Sequence, residues 1–373
     1  MFLPKEAQYE FIVNLPENVA SSGLKNTNGQ DITSLGEALN NAMEIIENDG
    51  VFFTPKSLVK MIVSVLEPKS GTLLDPACGS GGMFVQTGDF VNLAGMNANM
   101  VMTFYGQEKV EYNSRLCLMN IAVHGLSGKI KSGEEANTYY YDAHNLEGKC
   151  DYVMANPPFN VDKVKSESCR NAGRLPFGLP GANKKTKEVS NANYLWISYF
   201  YSYLNEHGRA GFVMASSATD SPNRDKDIRG KLNKTGHVDV IVSVANNFFY
   251  TKSLPCSLWF FDKGKSEALR DKVLFIDARN YYTVVDRTLN EWSEWQLKNI
   301  VAVVWLYRGE IDKYRKLLND YETVLNDFVV DGYFAGALLT LRDRLKEHQK
   351  QSQEEIEKAD KRDRKRLKAE WDS

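Results

Sequence analysis

Apolar positions at Leu35, Leu39, Ala42 and Ile46 recur every three or four residues, the spacing of one helix face. Ser34 and Glu37 form a capping box ahead of them, and Asn48-Asp49-Gly50 closes that helix. A second helix is predicted from Thr54-Pro55, with Thr as N-cap and Pro at the first helical position. Leu58, Val59, Ile62 and Leu66 are its apolar face. From Thr72 the pattern becomes strand, turn, helix, repeated. Residues 72–75, 103–108, 151–156, 210–215, 238–244 and 257–261 read as strands, residues 138–141 as a weaker strand, and residues 273–277 as one more. Helical stretches start near Gly82 and cover residues 112–124. This alternation predicts an α/β fold, with an open, mostly parallel sheet and helices on both faces. Such sheets bind ligands at the carboxyl ends of their strands. Residues 297–320 and 336–370 read as helical. Charges of both signs crowd the last segment, and Leu345, Ile356 and Leu367 are too sparse for a heptad seam.

Composition narrows the function classes. The chain has 373 residues, long for one domain and short for three. No apolar run reaches the roughly 18 residues of a membrane span. Met1-Phe2-Leu3-Pro4-Lys5 does not read as a signal peptide. Cys78, Cys117, Cys150, Cys169 and Cys256 are scattered, so free thiols in a reducing cytoplasm are expected. The formal charge is −2, without the basic excess of a protein that holds DNA alone. Any DNA contact is therefore local or shared with a partner.

Two segments carry chemistry. Asp75-Pro76-Ala77-Cys78-Gly79-Ser80-Gly81-Gly82 follows a strand and opens a helix. Its glycines let the backbone turn tightly and approach a ligand. A P-loop would place Lys after the last glycine, and Met83 stands there instead. Glu108 ends the next strand, where an acid can accept both hydroxyls of a ribose. Asp142, after the weaker strand, is a candidate acceptor for an adenine amino group, although acids are common in turns. Asn156-Pro157-Pro158-Phe159 closes an apolar strand. The amino nitrogen of adenine is a poor nucleophile because its lone pair is delocalised into the ring. The Asn156 side-chain oxygen and the Pro157 carbonyl could accept its two hydrogens and localise that pair. The prolines restrict the backbone and remove competing donors. Phe159 offers a face for a base rotated out of the duplex.

The order Phe52-Phe53-Thr54-Pro55, then residues 75–82, then Gly106-Gln107-Glu108, then residues 156–159 resembles the amino-methyltransferases whose cofactor half precedes the catalytic half. Within that class the chain is most similar to the modification subunit of type I restriction-modification systems. Residues 105–109, 119–125, 177–178, 193–196 and 208–213 support the resemblance, which runs from about Gly50 to Arg279. It implies a Rossmann-like S-adenosylmethionine-dependent fold with a mostly parallel seven-stranded sheet. Gly50, Val51, Phe52, Phe53, Thr54 and Pro55 would close over the methionine end of the cofactor. Asp75, Gly79, Ser80, Gly81 and Gly82 would form its loop, Glu108 would bind its ribose and Asp142 its adenine. Asn156, Pro157, Pro158 and Phe159 would hold the target base. The implied activity is methylation of adenine N6 in double-stranded DNA, with the target adenine flipped out. The implied partners are a specificity subunit, shared by two copies of this chain, and a restriction endonuclease subunit.

Three regions follow from that reading. Residues 1–50 are expected to be a helical remnant of a larger domain, residues 51–285 the catalytic domain, and residues 286–373 a helical region that docks a partner. Residues 160–193 form a long polar loop with Lys163, Lys165, Arg170, Arg174, Lys184, Lys185 and Lys187, read as a DNA-backbone contact, a lid, or a solvated loop. Pro255-Cys256 matches a cytosine-methyltransferase nucleophile in letters only, and Cys256 is expected to be a buried small residue. The histidines show no metal spacing. A protein-glutamine methyltransferase is the alternative enzyme, against which Phe159 argues, because that family ends its motif in Tyr. A non-catalytic binding module is the alternative from another class.

Overall fold

A computed structural model describes residues 54–249, 253–330 and 335–359, together with Asp363, Arg364 and Leu367. The expected helix after Ser34 and the segment from Gly50 to Phe53 lie outside the described residues. In chain order the elements are α1 (Lys56–Leu66), β1 (Gly71–Asp75), α2 (Gly82–Leu93), β2 (Met102–Glu108), α3 (Glu111–Val123), β3 (Gly128–Ser132) and β4 (Cys150–Ala155). Next come β5 (Val164–Lys165), α4 (Ser166–Asn171), β6 (Glu188–Val189), α5 (Asn193–Tyr203), β7 (Leu204–Ala215), α6 (Asn223–Lys234), β8 (Val238–Val244) and β9 (Cys256–Asp262). The chain continues through β10 (Leu274–Asp277), β11 (Thr283–Asp286), β12 (Leu289–Glu291), α7 (Glu294–Arg308), α8 (Ile311–Val330) and α9 (Ala335–Lys358).

An eight-stranded sheet in the order β10-β8-β9-β7-β4-β1-β2-β3 organises the chain up to Arg308. The sheet has one strand more than the seven expected: β1, β2, β4, β7, β8, β9 and β10 match strands read in the sequence, and β3 does not. Every neighbouring pair is parallel except those of β9, which runs antiparallel between β7 and β8. The pleat sends consecutive side chains to opposite faces. Leu73, Met154, Val213 and Phe260 therefore enter one apolar core, and Leu74, Val153, Phe212 and Phe261 the other. Leu58 of α1, Phe84 of α2, Ile121 of α3 and Val304 of α7 cover the first face. Helix α5 and Ile228 and Leu232 of α6 cover the second. Helix α5 is apolar nearly all round, as a fully buried helix must be.

The third strand is β3 and not residues 138–141. Gly128-Lys-Ile-Lys-Ser132 is a charged edge strand, and such a strand carries little apolar signal. Thr138 and Tyr139 sit in a turn instead, Thr138 buried and Tyr139 half-buried by tertiary contacts that a strand-like composition also suits. Thr54 is not the N-cap of α1: Pro55 holds that position in an extended conformation without a side-chain cap. The helix read over residues 297–320 is interrupted at Gly309, whose φ of 79° is the left-handed conformation that ends a helix.

Arg308 ends α7 and joins three elements. Its guanidinium donates to the Val65 carbonyl at 2.8 Å and to Asp239 Oδ2 of β8 at 2.7 Å. The first compact unit thus extends beyond residue 285 to Arg308. Gly309 to Ser373 form a second unit, in which α8 and α9 are the described elements. Among the described residues no helix is long and apolar enough to cross a membrane.

Candidate active site at the strand ends

Strands β1, β2 and β4 are neighbours and parallel, so their carboxyl ends come together at one edge of the sheet. A cavity of about 710 Å³ opens there. Thr54, residues 75–80 and Gly82 of the loop after β1, Glu108 and Asn156 to Phe159 line it, while Gly81 does not. Expected cofactor residues and expected target-base residues therefore share one space.

The loop after β1 is shaped by backbone conformations that favour glycine. Gly79 has φ 51° and Gly81 φ 81°. A Cβ on Gly81 would also stand 2.8 Å from Cys117 Sγ. Gly82 differs: its backbone is ordinary and a Cβ there would meet no protein atom within 4 Å. Packing within the chain does not require that glycine, and the open space beside it belongs to the cavity. The Ser80 carbonyl accepts from Asn120 Nδ2 at 2.9 Å, which fixes the loop on α3.

Two acids flank the loop. Glu108 accepts from Gly79 N at 3.0 Å through one carboxylate oxygen and from Val110 N at 2.8 Å through the other, and the Asn113 side chain and the Lys109 N–H also donate to it. Burial pushes its carboxyl above the ordinary range, and these N–H donors oppose that rise. Asp75 is 2% exposed and accepts from Ala77 N at 3.0 Å. Burial raises its carboxyl to about 8; the Ala77 N–H opposes this, and the nearby Glu108 charge adds to it.

Asn156 follows the last residue of β4. Its Oδ1 is shielded from solvent and has no hydrogen-bond partner within the chain. A shielded acceptor without a donor costs roughly 1–3 kcal/mol, a cost that an arriving N–H donor would relieve. Pro157 is buried, and Phe159 meets Phe249 edge to face with centroids 6.1 Å apart. Asn160 then turns left-handed, with φ 55°. Its N–H donates to Asn193 Oδ1 at 2.9 Å, and its Oδ1 accepts from Asn193 Nδ2 at 2.9 Å and Asn191 Nδ2 at 3.0 Å. Asn193 begins α5 and is only 2% exposed, so this pair of bonds fixes the exit of the tetrapeptide to a buried helix.

Several lining residues had no distinct signal in the sequence. Phe249 and Leu254 arrive because β9 runs antiparallel, which returns the β8–β9 connection to the same edge of the sheet. Trp196 belongs to the stretch noted at residues 193–196, and its Nε1 donates to the Tyr139 hydroxyl at 2.9 Å. Asn137 and Asn113 also line the cavity, and Asn113 Oδ1 is a second buried acceptor without a partner. The 136–141 turn is held by Gln107, whose Nε2 donates to Thr138 Oγ1 at 3.0 Å, and by Thr138, which donates to the Pro76 carbonyl at 2.6 Å. Asp142 is not among the lining residues; its Oδ2 accepts from Glu147 N at 3.0 Å and its Oδ1 is buried without a partner. Cys256 is buried in β9, where burial pushes its thiol up to about 12. Among the described residues no group of three His, Cys, Asp or Glu side chains could hold a metal ion.

The segment after the tetrapeptide is a folded module and not an open loop. Val164, Cys169, Phe177 and Val189 are buried in it. Arg174, one of the cations considered for DNA contact, is 3% exposed. It donates to the Tyr203 hydroxyl at 2.7 Å and the Thr138 carbonyl at 3.1 Å, and lies over the Tyr199 ring. Arg174 is thus an internal anchor, withdrawn from any outside phosphate.

The sequence profile of the N-6 DNA methylases matches residues 38–333. The chain belongs to the N-6 DNA methylase family. This family member is 36% identical over 293 residues to the type I restriction enzyme MjaIX methylase subunit of Methanocaldococcus jannaschii, covering 76% of the chain and 50% of that protein. It is 32% identical over 248 residues to the HindI methylase subunit of Haemophilus influenzae, covering 66% of the chain and 53% of that protein. The methylase-family chain thus spans about half the length of these curated relatives. In fold it is similar to a type I methyltransferase subunit of Streptococcus thermophilus, with a TM-score of 0.60 at 21% identity over 72% of this chain and 57% of that one. It is also similar in fold to a class I S-adenosylmethionine-dependent methyltransferase of Listeria monocytogenes, with a TM-score of 0.53 at 15% identity over 72% of this chain and 76% of that one.

Proposed function

We propose that this chain is the methylation subunit of a type I restriction-modification system and transfers a methyl group from S-adenosylmethionine to N6 of adenine in DNA. The observation that carries the reading is the unpartnered, shielded Asn156 Oδ1 in the same cavity as Glu108 and the glycine loop. The donor set fits the cofactor. Glu108 can accept the ribose hydroxyls, and the open space beside Gly82 admits a ligand. The bound cofactor supplies a methyl group made electrophilic by its positive sulfur.

The chain's own residues prepare the amine. Asn156 Oδ1 and the Pro157 carbonyl each accept one N6 hydrogen, which draws the nitrogen lone pair out of ring conjugation and aims it. Phe159, braced by Phe249, and the Tyr139–Trp196 pair form an apolar wall for the base. Asn193 keeps the tetrapeptide in place through Asn160. Glu108 and the glycine loop would hold the cofactor, which would supply the methyl group to N6, and the surplus N6 proton would pass to solvent from the site formed by Asn156 and Pro157. Proximity and alignment supply the acceleration, so no strong general base is required.

The partners belong to the same proposal: duplex DNA, a specificity subunit shared by two copies of the chain, and a restriction subunit. Helix α8 supports it, because Ile311, Leu318 and Leu325 recur at heptad spacing and all three are exposed. Transfer from methyl-labelled cofactor tests the reaction, with the chain mixed with the specificity subunit and offered DNA, RNA or protein. Label in N6-methyladenine of DNA alone supports it. Label in protein glutamine favours the other enzyme, and no transfer together with no cofactor binding favours a non-catalytic module.

A further inference from the structure

We propose that the folded excursion between Asn160 and Ala192 is a clamp for the DNA backbone, with Lys163, Lys184, Lys185 and Lys187 as its phosphate contacts. The proposal rests on the DNA-methylase reading and says where the duplex lies.

The neck of the excursion is closed at the cavity rim. Asn191 Nδ2 donates to Asn160 Oδ1 at 3.0 Å, and Ala192 N donates to the Val161 carbonyl at 2.9 Å. Asn160 itself lines the cavity. Antiparallel pairing of β5 with β6 sets Val164 opposite Val189 and Lys165 opposite Glu188, so the 184–187 turn lies beyond Ser166 and Lys163 lies on the neck side of the ladder. Ser166 fixes that register, since its N–H and Oγ both donate to the Lys187 carbonyl, at 3.0 and 2.7 Å. Asn183 closes the turn, accepting from Lys185 N at 2.8 Å. All four lysines are exposed, and no ion pair among the described residues involves them. Lys165 is left out because it faces Glu188 across the ladder.

The remainder of the module is internal scaffold. Arg174 is buried against Tyr199 and Tyr203, and Lys231 of α6 donates to the Phe177 carbonyl at 3.0 Å. The lysine turn is therefore carried on a fixed base and does not have to order on binding. A base that enters the cavity stays joined to its strand, so its flanking phosphates must pass the rim where this neck sits. Charge on the turn acts over a Debye length, about 10 Å at 0.1 M salt. A chain of net charge −2 needs such a local positive element to hold a polyanion.

Binding of a short fluorescein-labelled duplex, followed by anisotropy from low to high salt, tests the clamp. The chains compared are the wild type, K184Q/K185Q/K187Q and, as an equal-charge control in the second unit, R342Q/K346Q/K350Q. The turn variant should lose about tenfold or more in low-salt affinity. Its plot of log affinity against log salt should flatten by about 0.9 for each phosphate contact removed. Titration with S-adenosylmethionine should be the same for the wild type and the turn variant. An unchanged duplex isotherm, as an acidic protein partner for these lysines would leave, overturns the clamp. So does a loss no larger than the control's, or a wild-type chain that binds no duplex at low salt. Failure of the wild type to bind S-adenosylmethionine would instead contradict the proposed function.

Discussion

At the scale of single residues, the site depends on acceptors kept away from water. In the proposed reaction Asn193 is the positioning residue of the target side, because it grips both the N–H and the side chain of Asn160. Asn193→Ala should lower kcat by about tenfold to a hundredfold, the effect of a small misplacement of reacting groups. Cofactor affinity should stay unchanged, and equal losses of both would contradict the role. Asp75 gives a pH signature. Its carboxyl ionises near 8 in the folded chain and near 3.8 when unfolded. Between those values the folded state keeps a proton that the unfolded state has lost, so this group's contribution to stability falls as pH rises through that window, by up to about 1.4 kcal/mol per pH unit. Asp75→Asn should remove that slope, measured as the difference between wild-type and variant denaturation midpoints from pH 4 to pH 8. Asn156, Glu108 and the glycines were legible in the sequence because their chemistry requires those residue types after strands. Phe249 and Asn137 were not, because only the tertiary fold brings them to the cavity.

At the scale of elements, the strands with continuous apolar runs could be read directly. β4, β8 and β9 are buried on both faces, and each stood out as a strand. β3 did not, since an edge strand with two lysines has no such pattern. The module after β4 misled for a related reason: its surface is polar, while its core is built from a few scattered apolar residues and one buried arginine. Arg174→Ala should therefore destabilise the first unit by roughly 2–5 kcal/mol, because it leaves the Tyr203 hydroxyl and the Thr138 carbonyl unpaired and removes the stacking on Tyr199. Chemical denaturation would measure it, and a loss below about 1 kcal/mol would mean that the anchor is dispensable.

At the scale of the whole molecule, the proposed catalytic and assembly surfaces fall in different units of the chain. The cavity belongs to the unit that ends at Arg308, and the heptad-spaced apolar stripe belongs to α8 beyond it. Leu318→Lys with Leu325→Lys should weaken association with the specificity subunit by about tenfold or more, as for loss of apolar anchors at an interface. Cofactor binding by the isolated chain should not change. Analytical ultracentrifugation and calorimetry would follow the two separately. The sheet and the cavity were legible from strand–helix alternation, whereas the boundary at Gly309 was not, because a single left-handed glycine inside a helical pattern gives little warning.

The most direct measurement pairs cofactor binding with methyl transfer to DNA for the wild type, Asn156→Ala and Glu108→Ala in complex with the specificity subunit. Asn156→Ala should bind S-adenosylmethionine like the wild type and transfer no detectable methyl. Glu108→Ala should bind the cofactor at least tenfold more weakly and recover part of its transfer at saturating cofactor. Residual transfer by Asn156→Ala close to the wild-type rate, or an equal loss of cofactor affinity in both variants, would contradict the division of the cavity into a cofactor side and a target-base side.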